Sequence, residues 1–317
     1  MPPEHTATRY ASIFRDGLFS DRVVVVTGGG SGIGRCIAHE LAALGATVII
    51  TGRRQDKLDA VVAELRADAD RGAAEGGTAD DAPVHHDRPR FDQRVFDIRD
   101  EAAVADAIAD IVRVYGRIDH LVNNAGGQFP APAQLISQRG FDAVVRTNLT
   151  GGFLVARECF ERSMQQTGGS IVNMLADMWR GMPGMAHSGA ARAGMLNLTR
   201  TLAVEWAPQG VRVNAVAPGW VASSGLDTYD DAIKAMIPTL AGAVPLKRLA
   251  TEAEVSAAVC FLLSPAAAFI TGTCLRVDGG APLAPLHWPM PDHDNSPPFQ
   301  GFHRAVLPEV LRKPEDP

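Results

Sequence analysis

At 317 residues, 46% of them hydrophobic, the chain can bury a large core, and no apolar run reaches membrane-spanning length. A formal charge of −6 and a pI near 5.8 argue against nucleic acid as the main partner. The four cysteines (Cys36, Cys159, Cys260, Cys274) are scattered, without zinc or redox spacing, and read as small buried hydrophobes of a reducing compartment.

Residues 1–20 read as an extension with a short helix around Ala11–Phe19. Arg22–Thr27 is a β-branched strand, followed by glycines and an amphipathic helix over Ile33–Leu44. Thr47–Thr51 is a second strand, and Asp56–Ala67 a helix with Leu58, Val61, Val62 and Leu65 at three- and four-residue steps. Residues 66–91, rich in Ala, Asp and Gly, predict a long surface insertion. Then come a strand at Gln93–Asp97, a helix at Glu101–Tyr115, a strand from His120 to Asn123 and a long helix over Phe141–Arg162. Ser170–Asn173 is a strand, Ser188–Trp206 a long helix, and Val211–Val216 and Cys274–Val277 are the last strands. Alternating helices and continuously apolar strands predict an α/β fold: a Rossmann-type, doubly wound parallel sheet of about seven strands, helices on both faces, in one domain over 21–280. A proline-rich tail, 281–317, is expected to lie along a surface, its own or a neighbour's.

Thr27-Gly-Gly-Gly-Ser-Gly-Ile-Gly34 joins a strand to a helix. Glycines there let the backbone approach a pyrophosphate, and the helix N-terminus attracts its charge, so Gly28, Ser31, Gly32, Ile33 and Gly34 are candidate cofactor contacts. The second strand ends in Thr51-Gly-Arg-Arg54, with no acid before Asp56. An acid would hold the 2′-hydroxyl of NAD; Arg53 and Arg54 instead suit a 2′-phosphate, so NADP(H) is favoured over NAD(H).

Together with Asn123-Asn-Ala-Gly126, Asp97, Asn148 in Thr147-Asn-Leu-Thr150, Pro218-Gly219 and Asp278-Gly-Gly280, this loop resembles the short-chain dehydrogenase/reductase superfamily over roughly residues 20–280. The resemblance implies that Asp97 and Ile98 flank an adenine and that Asn124, Ala125 and Gly126 line the cofactor cleft. It further implies that Asn148 is structural and catalytic, and that Pro218, Gly219, Val221 and Ser223 cover the nicotinamide. The family's usual Tyr and Lys, four residues apart on one helix face, fall here on Ser188 and Arg192. Its usual Ser, 13 residues before the Tyr, falls on Leu175. Ser is a far weaker acid than Tyr, Arg keeps its proton, and Tyr10, Tyr115 and Tyr229 are all remote from the slot in sequence.

Ketone reduction needs a placed acid for the alkoxide. Reduction of an α,β-unsaturated thioester puts the developing charge on an enolate oxygen, which hydrogen-bond donors can stabilise. Ser188 can donate such a bond, and Arg192 can clasp the cofactor ribose. The stretch 187–194, Gly127-Gln128-Phe129, Cys260-Phe-Leu-Leu-Ser-Pro265 and Pro291-Asp-His-Asp-Asn295 resemble peroxisomal-type trans-2-enoyl-CoA reductases. Bacterial relatives of the citronellol/citronellal dehydrogenase type share these signatures. The leading expectation is therefore an NADPH-dependent reductase of trans-2-enoyl thioesters, acyl-CoA above all. The alternatives are a dehydrogenase or reductase of carbonyls or terpenoid alcohols, and a cofactor-binding protein without chemistry.

The proton source stays open among Asp177, His187 and solvent; Asp177 serves if burial raises its pKa, and otherwise faces water or pairs with Arg180. Met178, Trp179, Met182 and Met185 suggest an apolar lid suited to an acyl chain, or plain core packing. His85-His86-Asp87 and His287 with Asp292-His293-Asp294 lack metal-ligand spacing, and no metal is expected. The expected partner is an acyl thioester or apolar carbonyl, not nucleic acid or membrane. The resemblance implies a homo-oligomer, dimer or tetramer, pairing through the Ser188–Trp206 helix. The first residues lack a secretory pattern and the last are no peroxisomal address, so a cytoplasmic setting is expected.

Overall fold

The structure, a computed structural model, describes residues 8–74, 88–284 and 287–312. Seven parallel strands form a single sheet in the order β3-β2-β1-β4-β5-β6-β7. They are β1 (Val23–Thr27), β2 (Thr47–Gly52), β3 (Phe91–Val95), β4 (His120–Asn123), β5 (Gly169–Met174), β6 (Val211–Pro218) and β7 (Cys274–Val277). The helices are α1 (Gly32–Ala43), α2 (Gln55–Ala74), α3 (Glu101–Tyr115), α4 (Gln138–Val145), α5 (Gly151–Cys159), α6 (Gln165–Thr167), α7 (Ala186–Glu205), α8 (Asp231–Met236) and α9 (Glu252–Leu263).

Both faces of the sheet are buried, which explains the unbroken apolar strands. Val24 and Val26 of β1 face a cluster that includes Ile37, Leu41, Leu58 and Val259. Val23 and Val25 face the opposite cluster, with Ile108, Val155, Leu202 and Trp206. The strand order reverses between β1 and β4, and the crevice beyond their C-terminal ends is where such sheets bind ligands.

Four expectations change. The segment expected as a helix around Ala11–Phe19 is a chain of bends and turns. It is held not by helical bonds but by docking: Tyr10 and Ser12 donate to the buried Glu40 carboxylate at 3.1 and 2.8 Å. The insertion expected at 66–91 begins as helix, because α2 runs to Ala74, and ends in β3 from Phe91; residues 75–87, with His85, His86 and Asp87, lie outside the described residues. The third strand is Phe91–Val95, so Asp97 follows it rather than closing it. The long helix expected over Phe141–Arg162 spans Gln138–Thr167 and is interrupted by π-turns at Arg146–Thr150 and Phe160–Met164. The first of these turns carries Asn148; such bulges often mark functional positions.

The tail lies on the chain's own surface. Phe302 is fully buried, Ala11 N donates to Gly301 O at 2.9 Å, and Arg304 pairs with Asp68 of α2. His39, Asp68 and His303 converge there, but Arg71 and Arg304 also hold the Asp68 carboxylate, so the cluster is an ionic clasp for the tail.

Candidate active site

The crevice is built from backbone first. Gly28 adopts φ +68°, and a Cβ there would stand 2.9 Å from Ala125 Cα. The turn is pinned from across the sheet: Asn124 Nδ2 donates to Thr27 O at 3.0 Å, and Thr27 Oγ1 accepts from Asn124 N and Ala125 N at 3.0 and 2.9 Å. Gly34 packs directly on the Gly28 carbonyl, where a side chain has no room. Ser31 precedes α1 in extended backbone with no side-chain cap bond, and Gly32 has φ +56°. The first N–H groups of α1 thus open onto the turn. Ile33 packs against the core.

At the end of β2, Arg53 and Arg54 are both exposed. Arg54 is held by Asp56, with bonds of 3.2 and 2.6 Å, so its charge is shared. Arg53 makes no ion pair among the described residues and lies close enough to Asp97 to help depress its carboxyl. Asp97 is bound chiefly by Arg99, at 3.0 and 2.5 Å, which holds the carboxyl below the usual range. Ile98 is buried against Gly151, where a Cβ would stand 2.7 Å from it. An open cleft of about 960 Å³ lies at this end, lined by Asp97, Arg99, Arg139 and Arg146 among others. It lies away from Ser188 and Arg192.

Asn148 clamps the segment after β4. Its Nδ2 donates to Gly127 O at 2.7 Å, and its Oδ1 accepts from Gly127 N at 3.0 Å. Gly126 sits between Asn148 and Arg192: a Cβ there would come 2.8 Å from Asn148 Oδ1 and 2.7 Å from an Arg192 terminal nitrogen. Arg192 donates to Met174 O at 2.5 Å, and its buried Nε has no hydrogen-bond partner. Burial pushes this guanidinium down to about 10, which leaves it a cation at neutral pH. Asn124, Ala125, Gly126, Asn148 and Arg192 are therefore brought together as expected.

Ser188, one turn earlier on α7, is fully buried and donates to Gln128 Oε1 at 2.6 Å. Gln128 Nε2 in turn donates to the phenol oxygen of Tyr229 at 3.3 Å. In the sequence Gln128 stands out only as part of a motif, and every tyrosine is remote from Ser188. The fold brings one of the remote tyrosines in: the segment after β6 carries Tyr229 to Gln128, 101 positions away.

The other proposed proton carriers stand apart. Asp177 N donates to Pro218 O at 2.8 Å, and its carboxylate accepts from Trp179 N at 3.4 Å. Burial, reinforced by Asp278 and opposed by the Trp179 N–H, Arg276 and Arg180, raises the Asp177 carboxyl, and its hydrogen bonds reach neither Ser188 nor Arg192. His187 is fully buried, accepts from Ser188 N at 2.8 Å and meets the Phe129 ring edge-on at 4.5 Å. Leu175 belongs to the core with Met195, Ala215 and Ala217. Of the apolar lid, Met178 joins that cluster, Met182 packs on Gly189, and Trp179 lies exposed beneath Arg276. Gly219 packs against Asp278, Val221 bridges to Ala250, and Ser223 leads into the 3₁₀ turn Ser224–Thr228.

The residues fit a dinucleotide. The glycine turn leaves room for a pyrophosphate, the α1 N-terminus favours its charge, and the buried Arg192 Nε lacks a partner that a ribose hydroxyl would supply.

Comparison with known proteins places this arrangement. A family profile described as enoyl-(acyl carrier protein) reductase matches residues 28–282. A Bacillus subtilis protein named "Probable 2,4-dienoyl-CoA reductase" is 37% identical over 275 residues, 83% of this chain and 98% of its own. A peroxisomal 2,4-dienoyl-CoA reductase of Danio rerio is 35% identical over 277 residues, 86% of this chain and 85% of its own. Among solved structures, a citronellol catabolism dehydrogenase of Pseudomonas aeruginosa PAO1 superposes with a TM-score of 0.71 at 54% identity, covering 86% of this chain and 99% of its own. A short chain dehydrogenase of Bacillus anthracis superposes at 0.69 with 34% identity, covering 85% and 99%.

Proposed function

The chain belongs to the short-chain dehydrogenase/reductase family, and from that premise we propose that it is an NADPH-dependent reductase of the carbon–carbon double bond in trans-2-enoyl thioesters, acyl-CoA in particular. The observation that carries this reading is the contrast within one helix turn. Arg192, Gly126 and Asn148 assemble a cofactor cradle, while the slot of the usual phenol holds a buried Ser188 whose hydroxyl is committed to Gln128. The dienoyl-CoA reductase names of two relatives support the same chemistry.

A bound reduced nicotinamide would supply a hydride. Gly28–Gly34 and the α1 N-terminus would hold its pyrophosphate, Arg53 and Arg54 a 2′-phosphate, and Arg192 the ribose. Asp97 and Ile98 would border its adenine. Arg192 also keeps a positive charge beside the crevice, which stabilises an enolate as it develops. Asn148 fixes the Gly127 backbone beside Gln128, and Ser188 holds the Gln128 side chain.

The Pseudomonas aeruginosa neighbour, at 54% identity, favours a second reading: oxidation or reduction of a terpenoid alcohol or aldehyde. One panel decides. Purified protein with NADPH or NADH is offered crotonyl-CoA, longer enoyl-CoAs, a dienoyl-CoA, ketoacyl-CoAs and citronellal, and absorbance is followed at 340 nm. Consumption with enoyl-CoAs and not with carbonyls is expected; consumption with carbonyls alone overturns the reading. The reading includes a cytoplasmic homo-oligomer. Its support is the outer face of α7, where Ala190, Ala193 and Val204 are exposed; light scattering tests it. No helix among the described residues is long and apolar enough to cross a membrane.

A further inference from the structure

We infer that Tyr229 is the proton donor to the acyl oxygen, standing in from the segment after β6 for the phenol that α7 lacks. This rests on the enoyl-thioester reading above.

The hydrogen-bond chain has a direction. Ser188 Oγ donates to Gln128 Oε1, so the carbonyl end of that amide is occupied. The amide's other end donates to the Tyr229 oxygen. A phenol oxygen that accepts this bond keeps its own O–H to donate elsewhere, and no described residue accepts it. The free proton of the chain is thus on Tyr229, not on Ser188. After that proton leaves, the Gln128 N–H still faces the oxygen.

The remaining acids and phenols are placed elsewhere. Tyr10 is buried against Glu40, and Tyr115 donates to Asp92 and Pro89 O. His187 is fully buried with its ring edge-on to Phe129, and the Asp177 carboxylate accepts from Trp179 N. Tyr229 itself is half-buried, so its oxygen can recover a proton from water.

Its position is structurally enforced. The ring packs in a cluster with Leu226, Ile237 and Leu240. Tail residues Val310 and Leu311 join the same cluster. Asp227, two residues before Tyr229, accepts from Glu309 N and Val310 N at 3.2 Å each, so the tail braces the segment that aims the phenol.

The step balances as follows. A bound reduced nicotinamide would supply the hydride gained at the β-carbon, the π pair then standing as an enolate with its charge on the acyl oxygen. The Tyr229 O–H bond breaks and an acyl O–H bond forms. The phenolate takes a proton from water. The enol then returns to the thioester, gaining a proton at the α-carbon and losing the oxygen-bound one to water.

The test uses the full chain with crotonyl-CoA and NADPH for turnover, butyryl-CoA calorimetry for acyl binding and NADPH fluorescence for cofactor binding. Tyr229→Phe is expected to lower kcat about a hundredfold, the lower range for a general acid. It should also bind butyryl-CoA severalfold more weakly while holding NADPH as wild type does. Gln128→Ala, which removes the tether, should lower kcat as well. Wild-type kcat in Tyr229→Phe, or a loss accounted for by weaker NADPH binding, overturns the assignment alone. A wild-type protein inert towards every enoyl-CoA overturns the functional reading, and the assignment with it.

Discussion

Ser188 and Gln128, sixty positions apart, share a hydrogen bond of 2.6 Å in which the serine donates. The bond joins the fully buried Ser188 at the start of α7 to the half-buried Gln128 in the segment after β4. Ser188 is fully buried, so a larger side chain at its position meets packed neighbours. Ser188→Tyr is expected to destabilise the fold by about 1–3 kcal/mol through overpacking and to create no ketone reductase. Thermal melts and a ketoacyl-CoA assay check this; a stable variant that reduces ketones refutes it.

Gly126 separates Asn148 from Arg192 by the width of a missing Cβ. Gly126→Ala forces one of them away, and NADPH affinity should fall at least about tenfold, consistent with an overpacking cost of roughly 1–3 kcal/mol. Fluorescence titration measures it. Wild-type affinity would show that the two side chains yield at little cost.

Arg192→Ala should also weaken the cofactor markedly, since it removes a buried cation whose Nε is free to bond a ribose hydroxyl. Calorimetry with NADPH reads the change. Equal binding by wild type and variant would place the ribose elsewhere.

The two arginines after β2 should not contribute equally. Arg54 is already paired with Asp56, whereas Arg53 is not paired among the described residues. Arg53→Ala is expected to weaken NADPH by roughly tenfold and NADH little, with a smaller effect for Arg54→Ala. Equal losses for both cofactors in Arg53→Ala would remove the arginine from the 2′-phosphate.

Glu252 opens α9 beneath the Gly32 turn, its carboxylate 3.8 Å from where a Gly32 Cβ would stand. Burial pushes its carboxyl up to about 7. The folded chain therefore holds this proton more tightly than the unfolded one. The stability it contributes is full below the unfolded value near 4.5 and is lost as pH rises through about 7. The loss is roughly 3 kcal/mol. Melting temperature should decline between pH 5 and 8, and Glu252→Gln should flatten that slope. An unchanged slope in the variant would assign the pH dependence to other groups.

Much of this was legible in the chain itself. The glycine turn, Asn148, Gly126 and Arg192 were readable because each is tied to its neighbours by short-range geometry: a strand–turn–helix, a sheet end, one helix face. Helix α3 and strands β4 and β7 fall where their periodicity predicts, since local burial and local pattern agree there. The segment Ala11–Phe19 is not a helix because Phe14, Leu18 and Phe19 pack into the core beside α1 while Ile13 stays exposed, so no helical face is buried. The reach of helix α2 past Ala67 was hidden by an Ala/Asp/Gly composition that also suits a loop.

The sequence by itself determined a doubly wound parallel sheet, the place of the glycine turn between β1 and α1, and the placing of Ser188 and Arg192 four residues apart on one helix face. Those follow from residue type and spacing, which the chain carries locally. Only the tertiary structure decided what surrounds Ser188. Its partner Gln128 comes from the end of β4, and Tyr229 arrives from beyond β6 on a segment braced by the tail. Hydrogen bonds between residues 60 and 101 positions apart leave no periodic trace, because they depend on how separate elements pack and not on the order in which they are written.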